Sequence, residues 1–344
     1  VGPTESDYPI APPVKIRHNL PADTTPFVGR ERETAVITTY FTRDQQRLVT
    51  LVAPGGMGKT RLAIAVGRHL LTSFTDGVFF VDLAALTEPE AIPGAVAAVL
   101  GFQAPDSALP LLPQLLQSMA QSNMLLILDN FEQLLPGAAL IDQMLKACSG
   151  LSLLVTSRQP LNLVSESRCR LSGLDFPDLL TVEDALAWSA VQLFVESGRR
   201  TRPGYALSTD NIVYVLQICR LVQGMPLALI LAAAWLELLD TAEIVVEIEQ
   251  SLGFLSSELA DLPHRQRSMH AVFGRSWQRL APDEQRVLAK LSVFRGGFSR
   301  AAAEQVAGAN LRILLSLVKK SFLQRQEGDG RYTLHELLRQ YAAE

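Results

Sequence analysis

The stretch that most limits what this chain can fold into is RLVTLVAPGGMGKTRLAIAVGRHLL, residues 47–71. Its first seven residues are almost wholly apolar and rich in β-branched and leucine side chains, which predicts a strand buried on both faces. The glycines at 55, 56 and 58 break that run, and the spacing then turns helical from about Thr60 to Leu71. A buried strand that passes through a tight turn into a helix belongs to a parallel sheet, because the helix must carry the chain back over the sheet before the next strand begins. Further strands are predicted at VFFVDL (78–83), MLLILD (124–129), LSLLVTS (151–157) and SRCRLSGL (167–174), and a helix is predicted from Thr34. Together they make an α/β unit ending near residue 175.

The turn itself carries chemistry. In APGGMGKT (53–60), Gly55, Gly56 and Gly58 let backbone N–H groups crowd around phosphate oxygens, and the following helix adds its positive end. This is a P-loop in its required strand–turn–helix setting. Lys59 is expected to bridge the β- and γ-phosphates, and Thr60 to ligate Mg2+. The loop departs from the usual pattern at its first position, where Ala53 stands for Gly; β conformation there tolerates the methyl. About 70 residues on, LLILDNFEQLL (125–135) ends its apolar run at Asp129, placed to hold the magnesium. The next residue is Asn130, which accepts no proton and so serves as no general base. Glu132 is a candidate to reach the attacking water, or else a solvated loop acid. These residues point to a protein that holds a nucleotide, with slow turnover at most. Arg158, just past the fourth strand in LLVTSRQPL, would read a γ-phosphate if that strand lies beside the strand of Asp129.

Residues 1–26 contain Pro3, Pro9, Pro12, Pro13, Pro21 and Pro26 and no regular period, which predicts an extended linker or an ordered arm. From 181 to about 260 the spacing reads as helical throughout. From 263 to 344 helices come first, then FLQRQ, the turn EGDG and RYTLH as a hairpin, then a last helix, an order that matches a winged-helix module. Thr333 and Glu336 have capping-box spacing, which predicts His335 in the first turn of that helix. The basic residues are unevenly spread: from Pro263 onwards 14 Lys and Arg stand against 7 Asp and Glu, and the preceding 262 residues hold 17 against 28. Attraction between the two parts, or a phosphate partner for the basic one, follows. The candidate recognition helix NLRILLSLVKKSF is mostly apolar, offering Arg312, Lys319 and Lys320 but few base-reading groups, so sequence-specific DNA binding is not expected.

The longest apolar run, residues 225–236, falls short of the about 20 residues a membrane helix needs. Cys148, Cys169 and Cys219 make no metal spacing and leave an odd thiol, and the N-terminus lacks a secretory pattern, so a cytoplasmic location is expected.

FVGRERE (27–33), the P-loop, LLILDNFE, LLVTSR, GMPLAL (224–229) and LHELLRQYA (334–342) follow in one order. The chain from Asn19 onwards thereby resembles the STAND class of signalling NTPases, the module shared by NB-ARC/AP-ATPase switch proteins and bacterial regulators with SARP-type or LuxR-type effectors. The resemblance implies an ASCE/AAA-like P-loop domain (27–175), a helical lid domain (176–262) and a winged-helix domain (263–344). It implies that ADP or ATP, with Mg2+ on Thr60 and Asp129, is held by Phe27, Val28, Gly29 and Arg30 beside the base and ribose, by the loop residues Pro54, Gly55, Gly56, Met57, Gly58, Lys59, Thr60 and Arg61, by Arg158, and by Pro226 with its ring against the base. His335, in LHE where the family has MHD, would grip the β-phosphate. It further implies a switch closed and monomeric with ADP that self-associates with ATP, and sensor and effector domains outside these residues. The alternatives are a DNA-binding winged-helix regulator with an accessory ATPase domain, and a housekeeping ATPase with steady turnover, for which no acceptor-substrate pocket is seen.

Overall fold

The computed structural model describes residues 17–177, 182–257, 266–326 and 330–344. Residues 1–16 of the expected arm and most of the EGDG turn lie outside them.

Five strands form the first sheet: β1 (Leu48–Val52), β2 (Gly77–Asp82), β3 (Met124–Asp129), β4 (Leu151–Ser157) and β5 (Ser167–Arg170). Their order is β2-β3-β4-β1-β5 and every neighbouring pair is parallel. The continuous apolar runs were the signal, and β1, β3 and β4 are buried at every position. β5 is shorter than the run 167–174 suggests, and its residues alternate between half-buried and exposed, as an edge strand permits. The opposite edge is covered. The Arg17 carbonyl accepts from Val78 N at 3.1 Å. The Asn19 side chain donates to the Phe80 carbonyl at 2.8 Å and accepts from Phe80 N at 2.6 Å, imitating a strand residue. Leu20 is buried beneath it. Residues 17–20 are thus an ordered arm that closes β2 against further pairing.

One face of the sheet is covered by the helices Ile92–Leu100, Leu111–Met119 and Ala138–Ala147, which enclose Leu126, Leu128, Leu153 and Val155. The other face carries the loop's helix, Lys59–His69, and the helix Glu31–Thr42 over Val49, Leu51, Ile127 and Leu154. That second core does not stop at the sheet. It runs on through Phe194 and Leu229 to Phe273 and Leu288, so the later helices pack against the same apolar body. Burial of this kind contributes about 25 cal/mol per Å² of apolar surface.

After the sheet come the helices Val182–Ala185, Ser189–Thr201, Ile212–Leu221, Pro226–Ala234 and Thr241–Gln250, the last opened by a capping box between Asp240 and Glu243. The run 225–236 is the buried helix Pro226–Ala234 and the short turn after it. The C-terminal part begins with the helix Met269–Trp277. It continues with the helix Pro282–Leu291, β6 (Gly297–Phe298), the helices Arg300–Ala307 and Leu311–Lys319, β7 (Leu323–Arg325), β8 (Tyr332–Leu334) and the helix Glu336–Ala343. β6, β8 and β7 form a three-stranded antiparallel sheet. Among the described residues no helix is long and apolar enough to cross a membrane.

One local expectation is overturned. Thr333 is not a helix cap: it lies in β8, paired with Gly297 and Gln324. His335 is itself the N-cap of the last helix, its Nδ1 accepting from Leu337 N at 3.3 Å. A sheet pairing across more than 30 residues outweighs a capping box, which a spacing rule cannot see.

Candidate functional site

The loop between β1 and the helix Lys59–His69 takes the shape its glycines allow. Gly56 and Gly58 have φ of +85° and +82°, which favours residues without a Cβ. Among the described residues the backbone N–H groups from Gly55 to Thr60 have no acceptor, so the loop presents a concave row of free donors at the positive end of a helix. The Lys59 ammonium folds back onto the Ala53 and Pro54 carbonyls at 2.8 and 2.9 Å. Burial pushes its pKa down to about 8, with Arg158 adding to the depression and Glu132 and Asp129 opposing it. A cation held at such a cost is poised for an anion.

Opposite it, Asp129 ends β3 and is buried. Its Oδ1 accepts from Thr156 at 2.6 Å and from Thr60 at 2.8 Å, and its Oδ2 accepts from Asn130 Nδ2 at 2.7 Å. Burial raises its pKa, and the hydroxyls of Thr156 and Thr60 oppose the rise. The Thr60 hydroxyl and the Asp129 carboxylate thus meet at the mouth of the loop, two hard oxygen donors that fit Mg2+. Asn130 sits at φ 63° and its side chain spans from Asp129 to Asp82, the residue that pairs with Asp129 across β2 and β3. It is a brace between carboxylates.

Glu132 lies in the short turn Phe131–Gln133. Its side chain is only 9% exposed; Oε1 accepts from Arg158 Nε at 3.0 Å, and Oε2 is enclosed without a partner. Against the cost of burial, the Lys59, Arg158 and Arg279 cations hold this carboxyl below the usual carboxylate range. The alternative of a solvated loop acid is excluded by that burial. Arg158 follows β4, which lies between β1 and β3, so the guanidinium is beside both the loop and Glu132. It also donates to the Val272 carbonyl at 3.2 Å and to the Ser276 hydroxyl, both in the C-terminal part.

Three separate parts of the chain meet at this one loop. A Cβ on Gly55 would stand 2.5 Å from Val272 Cγ1 and 3.3 Å from Arg158 Nη2. One on Gly56 would be 3.3 Å from Leu227 Cβ, and Leu227 N donates to the Gly56 carbonyl at 3.1 Å. Pro226 opens its helix with its ring at Gly58, Cγ 3.9 Å from the Cβ position. Proline suits a first helical turn because its missing N–H has no acceptor there. The helical part is also pinned by backbone: a Cβ on Gly173 would stand 1.9 Å from the Gln223 carbonyl oxygen, and one on Gly224 would stand 2.0 Å from the Leu174 carbonyl oxygen.

Residues 27–30 are tied to the first turn of the helix Lys59–His69 and to the helix Ser189–Thr201. Arg61 Nη2 donates to the Thr25 and Pro26 carbonyls at 2.8 and 2.9 Å and lies over the Phe27 ring, 5.9 Å from its centroid. Val28 packs against the main core. Gly29, at φ +70°, presses on Ser189. The Arg30 guanidinium is spent on Glu33 and on the Ser172 carbonyl at 2.6 Å, tying the helix start to the strand's exit. Pro54 and Met57 are buried. His335 is not brought to the loop by any hydrogen bond. Its Nε2 is enclosed without a partner, and burial pulls its pKa down to about 4 despite Glu336.

Sequence reasoning missed Thr156, Val272, Ser276 and Asp82. Thr156 left a trace, as a polar residue in a fully buried strand; the other three left none.

These residues match known proteins. Residues 42–165 match the model of the AAA domain. An uncharacterized protein of Mycobacterium tuberculosis is 33% identical over 343 residues, covering 96% of this chain and 84% of that protein. The regulatory protein AfsR of Streptomyces coelicolor is 28% identical over 345 residues, 94% of this chain but 32% of AfsR, so the chain spans about a third of that regulator. Among solved structures, the ORC2 protein of Aeropyrum pernix, in ADPNP and ADP complexes, superposes with a TM-score of 0.53 at 11% identity, covering 93% of this chain and 95% of that one. A STAND protein of Pyrococcus horikoshii with a tetratricopeptide repeat sensor covers 96% of this chain and 44% of its own, with a TM-score of 0.42 at 16% identity. The order of the five strands, the loop at the end of β1 and the AAA-domain match agree: the chain belongs to the family of that Mycobacterium tuberculosis protein and is a P-loop, nucleotide-binding AAA-type ATPase module.

Proposed function

We propose that this module is an adenine-nucleotide switch, closed around ADP as a monomer and opened by exchange for ATP into a form that self-associates. The observation that carries the reading is the convergence on one loop. Gly55 meets the C-terminal part, Gly56 and Gly58 meet the helical part, and the loop's N–H groups have no acceptor among the described residues. A diphosphate seated on those donors would touch all three parts. In this reading Lys59 neutralises phosphate charge, and Phe27, Val28, Gly29 and Arg30 with Pro226 border the base and ribose. Thr60 and Asp129 hold Mg2+, which supplies further charge neutralisation. The helices 226–234 and 189–201 act as a lid. The C-terminal helix–strand–helix–helix–strand–strand order fits a winged helix. His335, with its enclosed and unpartnered Nε2, would turn toward the β-phosphate.

Turnover is slow in this reading. Asn130 is braced between two carboxylates, and the nearest base, Glu132, is held in an ion pair with Arg158. A ligand shifts such an equilibrium only by its differential affinity for the two forms, so opening requires groups that read the third phosphate. Arg158 is the candidate.

Regulation of transcription belongs to larger proteins in which such a module is a part. AfsR is named a regulatory protein and an HTH-type relative of Mycobacterium tuberculosis a candidate transcriptional regulator; the chain spans 32% and 34% of them. DNA reading by the module itself is disfavoured, since the helix Leu311–Lys319 exposes Leu311 and Leu315. Mass photometry tests the switch. Monomers are expected with ADP and larger species with a non-hydrolysable ATP analogue; the same mass in both would overturn the proposal.

A further inference from the structure

Arg158 divides its donors between two parts of the protein. Nε donates to Glu132 Oε1 at 3.0 Å, and Nη1 donates to the Val272 carbonyl at 3.2 Å and to the Ser276 hydroxyl. Nη2, which has no acceptor among the described residues, lies 3.3 Å from the position of a Cβ on Gly55, at the edge of the phosphate loop. A guanidinium is a rigid planar fork, so the partners of two nitrogens fix where the third points. Here the plane is set jointly by Glu132, from the sheet, and by the helix Met269–Trp277, from the C-terminal part.

We propose that Ser276 is a positioning residue of the nucleotide site, setting its preference for diphosphate over triphosphate through Arg158. With the Val272 carbonyl it holds the fork turned toward the C-terminal part. Nothing in a diphosphate on the loop disturbs that arrangement. A third phosphate placed beyond Lys59 offers charged oxygens to the same nitrogens, and an arginine–phosphate pair adds opposite charge and two-pronged geometry that a neutral hydroxyl lacks. The phosphate therefore takes Arg158, and Ser276 loses its donor. The helix that carries Ser276 also presses Val272 against Gly55, so losing this tie loosens the C-terminal part at the loop itself. Coupling of this kind is reciprocal: whatever the Ser276 bond adds to the closed form is subtracted from affinity for the triphosphate.

This inference rests on the adenine-nucleotide reading, and the test separates the two. Dissociation constants for ADP and for a non-hydrolysable ATP analogue are measured on the full chain as wild type, Ser276→Ala, Ser276→Thr and Ser321→Ala. Loss of the Ser276 hydroxyl should shift the ratio of the two constants about tenfold toward the triphosphate, the size of one hydrogen bond to a charged group. Ser276→Thr keeps a hydroxyl and should keep the wild-type ratio. Ser321 donates to the Arg158 backbone carbonyl at 2.6 Å, at the same junction but not on the guanidinium. Its replacement should lower the melting temperature and leave the ratio alone. A Ser276→Ala ratio within twofold of wild type, or an equal shift in Ser321→Ala, overturns the role of Ser276 alone. Failure of the wild type to bind either nucleotide overturns the adenine reading and this inference with it.

Discussion

Replacing Lys59 with methionine should stabilise the nucleotide-free protein while abolishing its response to nucleotide. The ammonium is enclosed, and burial lowers its pKa from 10.5 to about 8. That difference corresponds to about 3 kcal/mol spent at neutral pH on keeping the charge. Methionine fills a similar volume without it. Against the gain stand the two bonds to the Ala53 and Pro54 carbonyls at 2.8 and 2.9 Å, whose loss costs about 1 kcal/mol each. The balance favours the variant by about 1 kcal/mol, or about 1–2 °C in melting temperature for a chain of this length. The sign of the pH dependence follows from the same shift. Between about pH 8 and 10.5 the folded lysine binds fewer protons than the unfolded one, so wild type gains stability as pH rises through that window. The advantage of Lys59→Met should be largest near pH 7, shrink above pH 8 and reverse near about pH 9. Differential scanning calorimetry of stripped protein at pH 7 and 9.5, with and without ADP, reads all of this. A variant that melts below wild type at pH 7, or an advantage that grows with pH, refutes the reasoning.

Other perturbations address the remaining parts of the site. Asp129→Asn should remove the Mg2+ dependence of nucleotide affinity but preserve binding in EDTA, which paired titrations will reveal. His335 has a folded pKa of about 4 against an ordinary 6.5, so stability should fall by about 3 kcal/mol as pH drops from 6.5 to 4. Urea unfolding of His335→Asn should lack that acid slope, and its ADP should dissociate faster. Gly224→Ala must place a Cβ 2.0 Å from the Leu174 carbonyl oxygen at φ +64°, so a loss of more than about 2 kcal/mol in unfolding free energy is expected. Two duplexes of unrelated sequence should bind alike at every step of a salt titration.

Much of the sheet was legible because burial on both faces writes itself as unbroken apolar runs: 124–129 and 151–157 are the strands β3 and β4 residue for residue. The edge strand β5 was overextended, because past Leu171, whose N–H still donates to the Val52 carbonyl at 3.1 Å, the apolar Leu174 is there to pack in the core and not to pair. The C-terminal part was legible as helices, while β6 is only two residues long and gave no period. Thr333 and Glu336 misled because a local spacing competes there with a distant strand. Within the site, the glycine loop and Asp129 announce themselves through backbone geometry and a sharp change of polarity. Arg158 was legible as a position beside the loop, but its partners were not. One hydroxyl on Ser276 or Thr156 means something only once β4 has been laid against β3 and a helix 118 residues beyond Arg158 has docked. Such pairings live in tertiary contact, and no local pattern encodes them.

The central claim is that an adenine diphosphate seated on the glycine loop holds three parts of the chain together. Calorimetric titration of ADP into nucleotide-stripped wild type and Lys59→Ala tests it most directly. One ADP per chain, tightly bound by wild type and lost in the variant, is the result the account predicts. Equal binding by both proteins, or heat from neither, would contradict it.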